Sequence, residues 1–170
     1  TLKDNTKLLV YTDLILEYNL LIRKNLDTNT LKEIKSANLK LECYYKTLKY
    51  LKNTKCISDI KNYLKDYPSN IVDYTIKRLT KEGYLNDNNY IKSYINTKIN
   101  LSNDGYYKIY YYLKNKDLDE TIIKNYLNDI EDNIWLDKIN KIVNTKLKSN
   151  TKYSNNLLIS KIKTYLKTLG

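Results

Sequence analysis

The sequence DIKNYLK at residues 59–65 returns as KIYYYLK at residues 108–114 and as KIKTYLK at residues 161–167. In each copy an isoleucine is followed four positions later by a leucine, and this spacing puts both side chains on one face of an α-helix. Successive copies lie about 50 residues apart, a period typical of helical repeat proteins. The sequence therefore predicts tandem repeats, each containing one of these helices.

Positions outside the motif follow the same period. Five apolar or aromatic positions have counterparts about 50 residues later; the pairs are Ile76 and Leu127, Leu79 and Ile130, Tyr84 and Trp135, Leu85 and Leu136, and Ile91 and Ile142. We predict an all-α fold of tandem three-helix repeats in an elongated arrangement, because each repeat buries its apolar face against its neighbours. The core positions predicted from the repeat are Ile60, Leu64, Leu113, Leu166, Tyr84 and Trp135.

Capping and helix-breaking residues set the predicted boundaries. Thr30 and Glu33 have the spacing of a capping box, Pro68 ends one helix and Gly83 ends another. The predicted divisions are an N-terminal extension at 1–34, repeats at 35–83 and 84–133, and a partial repeat at 134–170. Within the extension, residues 8–18 fit a strand as well as a helix, so its structure stays open.

The composition excludes most catalytic chemistry. Histidine is absent, and the two cysteines, Cys43 and Cys56, lack the spacing of a metal site. Only 3 glycines are present, too few for a phosphate-cradling loop, and no apolar run approaches the ~20 residues of a membrane span. Carboxylate pairs such as Asp117 and Asp119 lie in capping segments, where acids stabilise helix N-termini. We therefore predict a protein that is not an enzyme and needs no metal or other cofactor.

The charge is strongly clustered. The chain has 30 basic and 19 acidic residues, for a net charge of +11. Residues 1–34 are neutral, residues 117–137 hold seven acids against the single Lys124, and residues 138–170 hold eight lysines and no acid. This clustering predicts a polyanionic partner, with nucleic acid as the first choice.

Charge clustering also selects the candidate contact residues. Lys77 and Lys81 share one helix face, as do Lys138 and Lys141, and equivalent basic positions recur in the repeats. The candidates are Lys77, Arg78, Lys81, Lys108, Lys138, Lys141, Lys146, Lys148, Lys161 and Lys163. On stacked repeats they would form a basic stripe suited to an extended polyanion.

Five tyrosines crowd one predicted helix. They are Tyr106, Tyr107, Tyr110, Tyr111 and Tyr112. Five rings cannot all face one core, so we expect two or three to be exposed. Exposed tyrosine beside lysine stacks on bases or anchors a protein interface. The alternative is that tyrosine merely replaces phenylalanine, which this chain lacks.

The segment GYLNDNNY at residues 83–90, followed by Ser93-Tyr94-Ile95 and a loop ending in Gly105, resembles the RecX family of recombinase regulators. The family pattern is G-Y-[LI]-[DN]-D-x-x-[YF]. A second family pattern, K-I-x-x-x-L-x-x-K-G-[IV]-x-x-x-x-[IV], is similar to Lys108-Ile109, Leu113-Lys114, Leu118 and Ile122-Ile123. The resemblance covers roughly residues 8–170 and is strongest over 55–130.

The chain departs from the family pattern in three ways. Asn115-Lys116-Asp117 stands where the family has Lys-Gly, and Tyr94 stands where phenylalanine is usual. The third repeat also stops early, so we expect its last helices to be absent or to have been removed, and the basic surface to be incomplete.

The resemblance implies a cytoplasmic regulator of homologous recombination and the SOS response, without catalytic activity or membrane association. It implies binding in the helical groove of the RecA filament on single-stranded DNA, and inhibition of RecA ATP hydrolysis, strand exchange and coprotease activity. We expect a monomer, with the RecA filament and single-stranded DNA as partners; binding of double-stranded DNA stays open. The family pattern maps to no single contact residues, so the ten candidates stand on charge alone.

Two other interpretations remain. The three-helix units also resemble a helix-turn-helix regulator that binds duplex DNA directly, although Arg23 and Arg78 are the only arginines available to read bases. The second interpretation is a helical scaffold for protein partners, in which the basic segment is incidental.

Overall fold

The computed structural model describes residues 7–23 and 25–170, and within them every regular element is an α-helix. The helices are α1 (Thr12–Glu17), α2 (Thr28–Tyr50), α3 (Ile57–Tyr63), α4 (Ser69–Lys81), α5 (Asp87–Leu101), α6 (Tyr106–Lys114), α7 (Glu120–Asn128), α8 (Asp132–Lys148) and α9 (Asn155–Leu169). The all-α fold class is confirmed. Among the described helices, none is long and apolar enough to cross a membrane.

The chain forms two compact units. The first reaches to Leu85 and contains α1 to α4, and the second runs from Asn86 to Gly170 and contains α5 to α9. The finer division into an extension and three repeats stays a prediction. Part of that extension, residues 1–6 and Lys24, lies outside the described residues.

Short polar side chains begin several helices. Asp27 caps α2, since its Oδ1 accepts the backbone N–H groups of Thr30 (2.8 Å) and Asn29 (3.0 Å). The capping box predicted from Thr30 and Glu33 is therefore wrong: an aspartate at position 27 satisfies two amides and also favours the positive end of the helix dipole. Asn86 caps α5 and Asp119 caps α7 in the same way.

Gly83 ends α4 in a Schellman motif. Its φ of 81° is left-handed, a conformation that costs glycine little. The Tyr84 N–H then reaches back to the Leu79 carbonyl (2.9 Å), and the Gly83 N–H to that of Thr80 (3.1 Å). This turn directs Leu85 into the core and leaves Tyr84 58% exposed. The prediction that Tyr84 is a core residue is therefore wrong.

The segment before α2 resolves the strand-or-helix ambiguity. Residues 7–11 have no regular structure, and α1 follows as a short helix with Leu14 buried. Asn38 on α2 binds this segment, accepting the Tyr11 N–H (3.0 Å) and donating to the Leu9 carbonyl (3.1 Å). A side-chain amide thus replaces the partner that a strand would need.

Each unit has its own apolar core. In the first, α4 packs on α2 and α3, and in the second, α7 packs on α5 and α6 while α8 packs on α9. The most deeply buried large side chains of the two cores are Ile34, Ile60, Leu64, Leu79 and Leu85, and Ile91, Ile109, Leu113, Ile123 and Leu127. The repeat correctly predicts Ile60, Leu64 and Leu113 as core, whereas Leu166 and Trp135 are only half-buried.

Candidate nucleic-acid interface

The candidates in the first unit all lie on α4. Lys77 and Lys81 are exposed, as expected for residues that share an outer face. Arg78 is half-buried, and its Nε lies 2.8 Å from Glu82 Oε1. Its guanidinium carbon also lies 3.8 Å from the centre of the Tyr44 ring. The charge of Arg78 is therefore neutralised within the unit, and it is a poor contact for an external phosphate.

Tyr44 completes this cluster. Its hydroxyl donates to Glu82 Oε2 at 2.6 Å. That hydrogen bond to a carboxylate, together with burial, raises the pKa of Tyr44 to about 12. The hydrogen bonds from Arg78 and Tyr44 lower the pKa of Glu82. The three side chains hold the end of α4 against α2.

Lys108, the first candidate in the second unit, is also paired. Its Nζ lies 2.7 Å from Asp104 Oδ1, and Lys98 Nζ lies 2.8 Å from Asp104 Oδ2. Burial opposes ionisation of Asp104, but the hydrogen bonds from Lys108 and Lys98 outweigh it and lower its pKa to about 2. Asp104 thus neutralises much of the positive charge at the loop between α5 and α6.

Lys138 is turned inward and bound to the backbone. It is half-buried on α8, and its Nζ donates to the carbonyl oxygens of Lys98 (3.2 Å) and Asp104 (3.0 Å). The same ammonium lies 5.4 Å from the Trp135 ring centre. Burial lowers the pKa of Lys138. These contacts make Lys138 a tether between α8 and the end of α5, so a phosphate could engage it only by displacing them.

The other candidates are exposed. Lys141, Lys146 and Lys148 lie on α8, and Lys161 and Lys163 lie on α9. Within residues 7–23 and 25–170, none of these five forms an ion pair with a carboxylate, in keeping with the absence of acids after position 137. Their charge is therefore available to an external anion.

Two of these lysines border a cavity between α8 and α9. The cavity has a volume of about 330 Å³, and its lining residues are Lys146, Ser149, Asn150, Thr151, Lys152, Tyr153, Leu158, Lys161, Ile162 and Tyr165. Lys146 Nζ lies 4.6 Å from the centre of the Tyr165 ring, and Lys161 Nζ lies 4.5 Å from that of Tyr153. The structure thus brings Lys146 and Lys161 to one site.

Asn150 shapes the loop that forms one wall of this cavity. Its Oδ1 accepts the backbone N–H groups of Lys152 (3.3 Å) and Tyr153 (3.0 Å), and its Nδ2 donates to the Tyr153 carbonyl (2.9 Å). The candidates chosen from sequence omit Lys152, Tyr153 and Tyr165. All three lie in the acid-free segment at 138–170, which is the sequence feature that could have identified them.

The tyrosine-rich α6 confirms the expectation of two or three exposed rings. Tyr107, Tyr111 and Tyr112 are exposed, with Tyr107 the most open at 62%. Tyr106 and Tyr110 are half-buried, and the Tyr110 hydroxyl donates to Glu120 Oε2 at 2.6 Å. Tyr107 and Tyr111 are four positions apart and so share one outer face.

Comparison with known proteins gives a consistent set of relatives. No protein-family model matches the chain. The chain is 37% identical over 108 residues to the regulatory protein RecX of Finegoldia magna, covering 62% of this chain and 53% of that protein. It is 30% identical over 137 residues to that of Lactococcus lactis, covering 76% and 49%. It is 30% identical over 141 residues to that of Clostridium tetani, covering 81% and 64%. The chain thus spans about half to two thirds of the length of these curated relatives.

Solved structures show the same fold. A crystal structure of a regulatory protein RecX matches with a TM-score of 0.80 at 24% identity, over 95% of this chain and 81% of that one. RecX from Lactobacillus salivarius matches with a TM-score of 0.71 at 25% identity, over 79% and 89%. The sequence relatives, the GYLNDNNY segment at 83–90 and the shared fold together show that the chain is similar to the RecX regulatory proteins over most of its length.

Proposed function

We propose that this protein is a non-catalytic regulator of RecA. In this proposal it binds the RecA filament on single-stranded DNA and lowers the filament's ATP hydrolysis, strand exchange and coprotease activity. It acts in the cytoplasm as a monomer. The observation that carries the proposal is an acid-free set of exposed lysines on α8 and α9 in a chain that is similar to the RecX regulatory proteins.

The uncompensated lysines supply the attraction to the filament. A lysine that neutralises a DNA phosphate releases a condensed counterion, so binding is favourable and weakens as salt rises. Lys141, Lys148 and Lys163 have no carboxylate partner among the described residues, whereas Arg78 and Lys108 do. The strongest contact with DNA is therefore expected from α8 and α9 rather than from α6 or the half-buried part of α4.

Two carboxylates of the second unit, Asp119 and Glu120, have structural roles, which supports a regulator over an enzyme. Asp119 caps α7, and Glu120 receives the Tyr110 hydroxyl and lies 2.8 Å from Lys114 Nζ. Both side chains accept hydrogen bonds that hold them in place. A general acid or base would need a proton that moves and a neighbouring reacting group.

Exposed aromatic side chains offer a second kind of contact. Tyr107 and Tyr111 on α6 present apolar rings with a polar tip, a combination enriched at protein interfaces. We propose that the lysines of α8 and α9 contact the DNA of the filament, while this tyrosine face contacts RecA protein.

Co-sedimentation with preformed RecA filaments on single-stranded DNA tests the proposal. The parent should sediment with the filament, and Lys141→Glu/Lys148→Glu should lose most of this binding. The matched control, Lys32→Glu/Lys35→Glu, reverses two exposed lysines on α2 and should sediment like the parent. Equal losses from both pairs would contradict a localised basic surface, and sedimentation with bare DNA alone would favour direct DNA binding.

A further inference from the structure

We propose that the cavity between α8 and α9 holds one nucleotide of a single strand. The base stacks against Tyr153 or Tyr165, and the adjoining phosphates lie among Lys146, Lys152 and Lys161. This inference rests on the proposed function for its choice of DNA as the occupant. It adds the site, the mode of recognition and the requirement for an unpaired base.

The dimensions fit a single nucleotide. At about 330 Å³ the cavity lies near the lower end of the range of about 300–1,000 Å³ typical of small-ligand sites. A base inside a duplex is stacked on both faces and cannot enter a concave site, whereas an unpaired base can turn out of the strand. The cavity therefore favours single strands over duplexes.

The electrostatics fit phosphate. Three lysines line the cavity, and no acid does so among the residues that the structure describes. Lys146 and Lys161 lie over tyrosine rings rather than beside carboxylates. An ammonium over an exposed ring is held only weakly, so it can turn to a phosphate at little cost. Lys108 and Lys114, by contrast, would have to give up an ion pair.

The aromatic rings are positioned for a base. Tyr153 is 42% exposed, so part of its ring is open to solvent, and Leu158 and Ile162 supply apolar lining beside it. The three hydrogen bonds of Asn150 hold the loop that carries Tyr153. A preorganised ring loses little freedom when a base stacks on it. The site therefore combines stacking with charge, which is how sequence-tolerant single-strand binding works.

A free nucleoside triphosphate is the other source of the same chemistry, and the site is poorly suited to it. No glycine lines the cavity, so it lacks a loop whose backbone amides could wrap a polyphosphate. No carboxylate lines it either, so the Mg²⁺ that accompanies a triphosphate would find no ligand of that kind among its described walls. A nucleotide within a strand needs neither feature.

The test uses the whole chain and DNA alone. Fluorescence anisotropy with a labelled oligothymidylate of about 15 nucleotides, within the range of single-strand site sizes, measures binding. Tyr153→Leu should weaken binding about tenfold through loss of stacking. The matched control, Tyr84→Leu, removes an exposed ring from the turn after α4 and should leave binding unchanged.

An abasic strand of the same length separates stacking from folding defects. It keeps the phosphates but has no bases, so Tyr153→Leu should bind it as well as the parent does. An equal loss on both strands would mean that Tyr153 contributes through structure or charge, and would overturn the inference.

Single lysine variants test the phosphate contacts. Lys161→Gln should reduce the slope of log affinity against log salt by about 0.7, the value for one phosphate contact on a single strand. Lys167→Gln, the matched control, removes another exposed lysine from α9 that does not line the cavity, and should leave the slope unchanged. Equal slopes for Lys161→Gln and the parent would contradict the site.

Competition distinguishes the two sources of nucleotide. ATP should displace the labelled strand only at concentrations far above the dissociation constant of the oligomer. Displacement at or below that constant would assign the cavity to free nucleotides and overturn the inference.

This inference and the proposed function can fail separately. If the Tyr153 and Lys161 variants bind DNA like the parent, and the parent binds the RecA filament, this inference fails and the proposed function stands. If they lose DNA binding as expected while the parent leaves RecA unaffected, the proposed function fails alone.

Discussion

Replacing Lys138 by methionine should destabilise the second unit by about 2 kcal/mol. Lys138 Nζ donates to two backbone carbonyls, at 3.2 Å and 3.0 Å, and a hydrogen bond from a charged donor contributes about 1.5–3 kcal/mol. Burial of the ammonium, which lowers its pKa, offsets a large part of this gain. The Lys98 carbonyl keeps the Ser102 N–H (3.2 Å) and hydroxyl (3.0 Å), so the Asp104 carbonyl bears most of the loss.

Methionine is the informative substitution because it keeps an unbranched apolar stem beside Trp135. The assay is urea unfolding followed by fluorescence of Trp135, the chain's one tryptophan, which lies on α8 and so reports the second unit. With a urea dependence of about 1–3 kcal/mol per molar, the midpoint should fall by about 1 M. Lys141→Met, an exposed neighbour on the same helix, should leave the midpoint within experimental error. Equal midpoints for Lys138→Met and Lys141→Met would refute the tether.

Three further predictions concern stability. Because the folded pKa of Asp104 is about 2 and its ordinary value is 3.8, its ion pairs stabilise the protein above pH 4 and are lost as pH falls toward 2. The parent should lose about 2 kcal/mol over this range that Asp104→Asn does not lose, measured by unfolding at each pH; parallel curves would contradict it. Asp117 has a left-handed φ of 59°, so Asp117→Gly should stabilise by about 0.5–1 kcal/mol, whereas Gly83→Ala should destabilise by about 1 kcal/mol, both measured by thermal melting. Changes of the opposite sign would contradict the argument that the left-handed backbone at these two positions favours glycine.

Local signals in the sequence predict the helices well because their causes are local. Gly83 ends α4, and Asn86 and Asp119 cap α5 and α7, each through groups within a few residues. The isoleucine–leucine spacing correctly identifies Ile60 and Leu64 as core. The family's glycine position, occupied here by Asp117, also takes the left-handed conformation that a glycine would favour.

Burial after a turn is less predictable. Tyr84 and Leu85 are adjacent and both apolar enough for a core, but the Schellman turn at Gly83 turns only Leu85 inward. The repeat matches both residues to counterparts about 50 positions later, so it cannot tell which of the two the turn leaves exposed. Trp135 is half-buried in the first turn of α8, with Lys138 Nζ 5.4 Å from its ring centre.

The candidate site could be predicted in part. The acid-free segment at 138–170 locates lysines that have no carboxylate partner among the residues that the structure describes, including Lys146 and Lys161. The same segment wrongly suggests that Lys138 is free to bind an anion. Its acceptors are backbone carbonyls 40 and 34 positions away, which the composition cannot indicate. Arg78 is different, because Glu82 lies four residues later on the same face and its ion pair is visible in the sequence.

The most direct test of the central claim is a titration of RecA ATPase activity on preformed filaments on single-stranded DNA. A regulator that binds the filament should lower the ATPase rate at well below one copy per RecA monomer, because each copy in the groove would contact several protomers. Lys141→Glu/Lys148→Glu should require a much higher concentration, and Lys32→Glu/Lys35→Glu should match the parent. Inhibition only when the protein is added before RecA would indicate competition for bare DNA, and no inhibition in either order would contradict the proposed function.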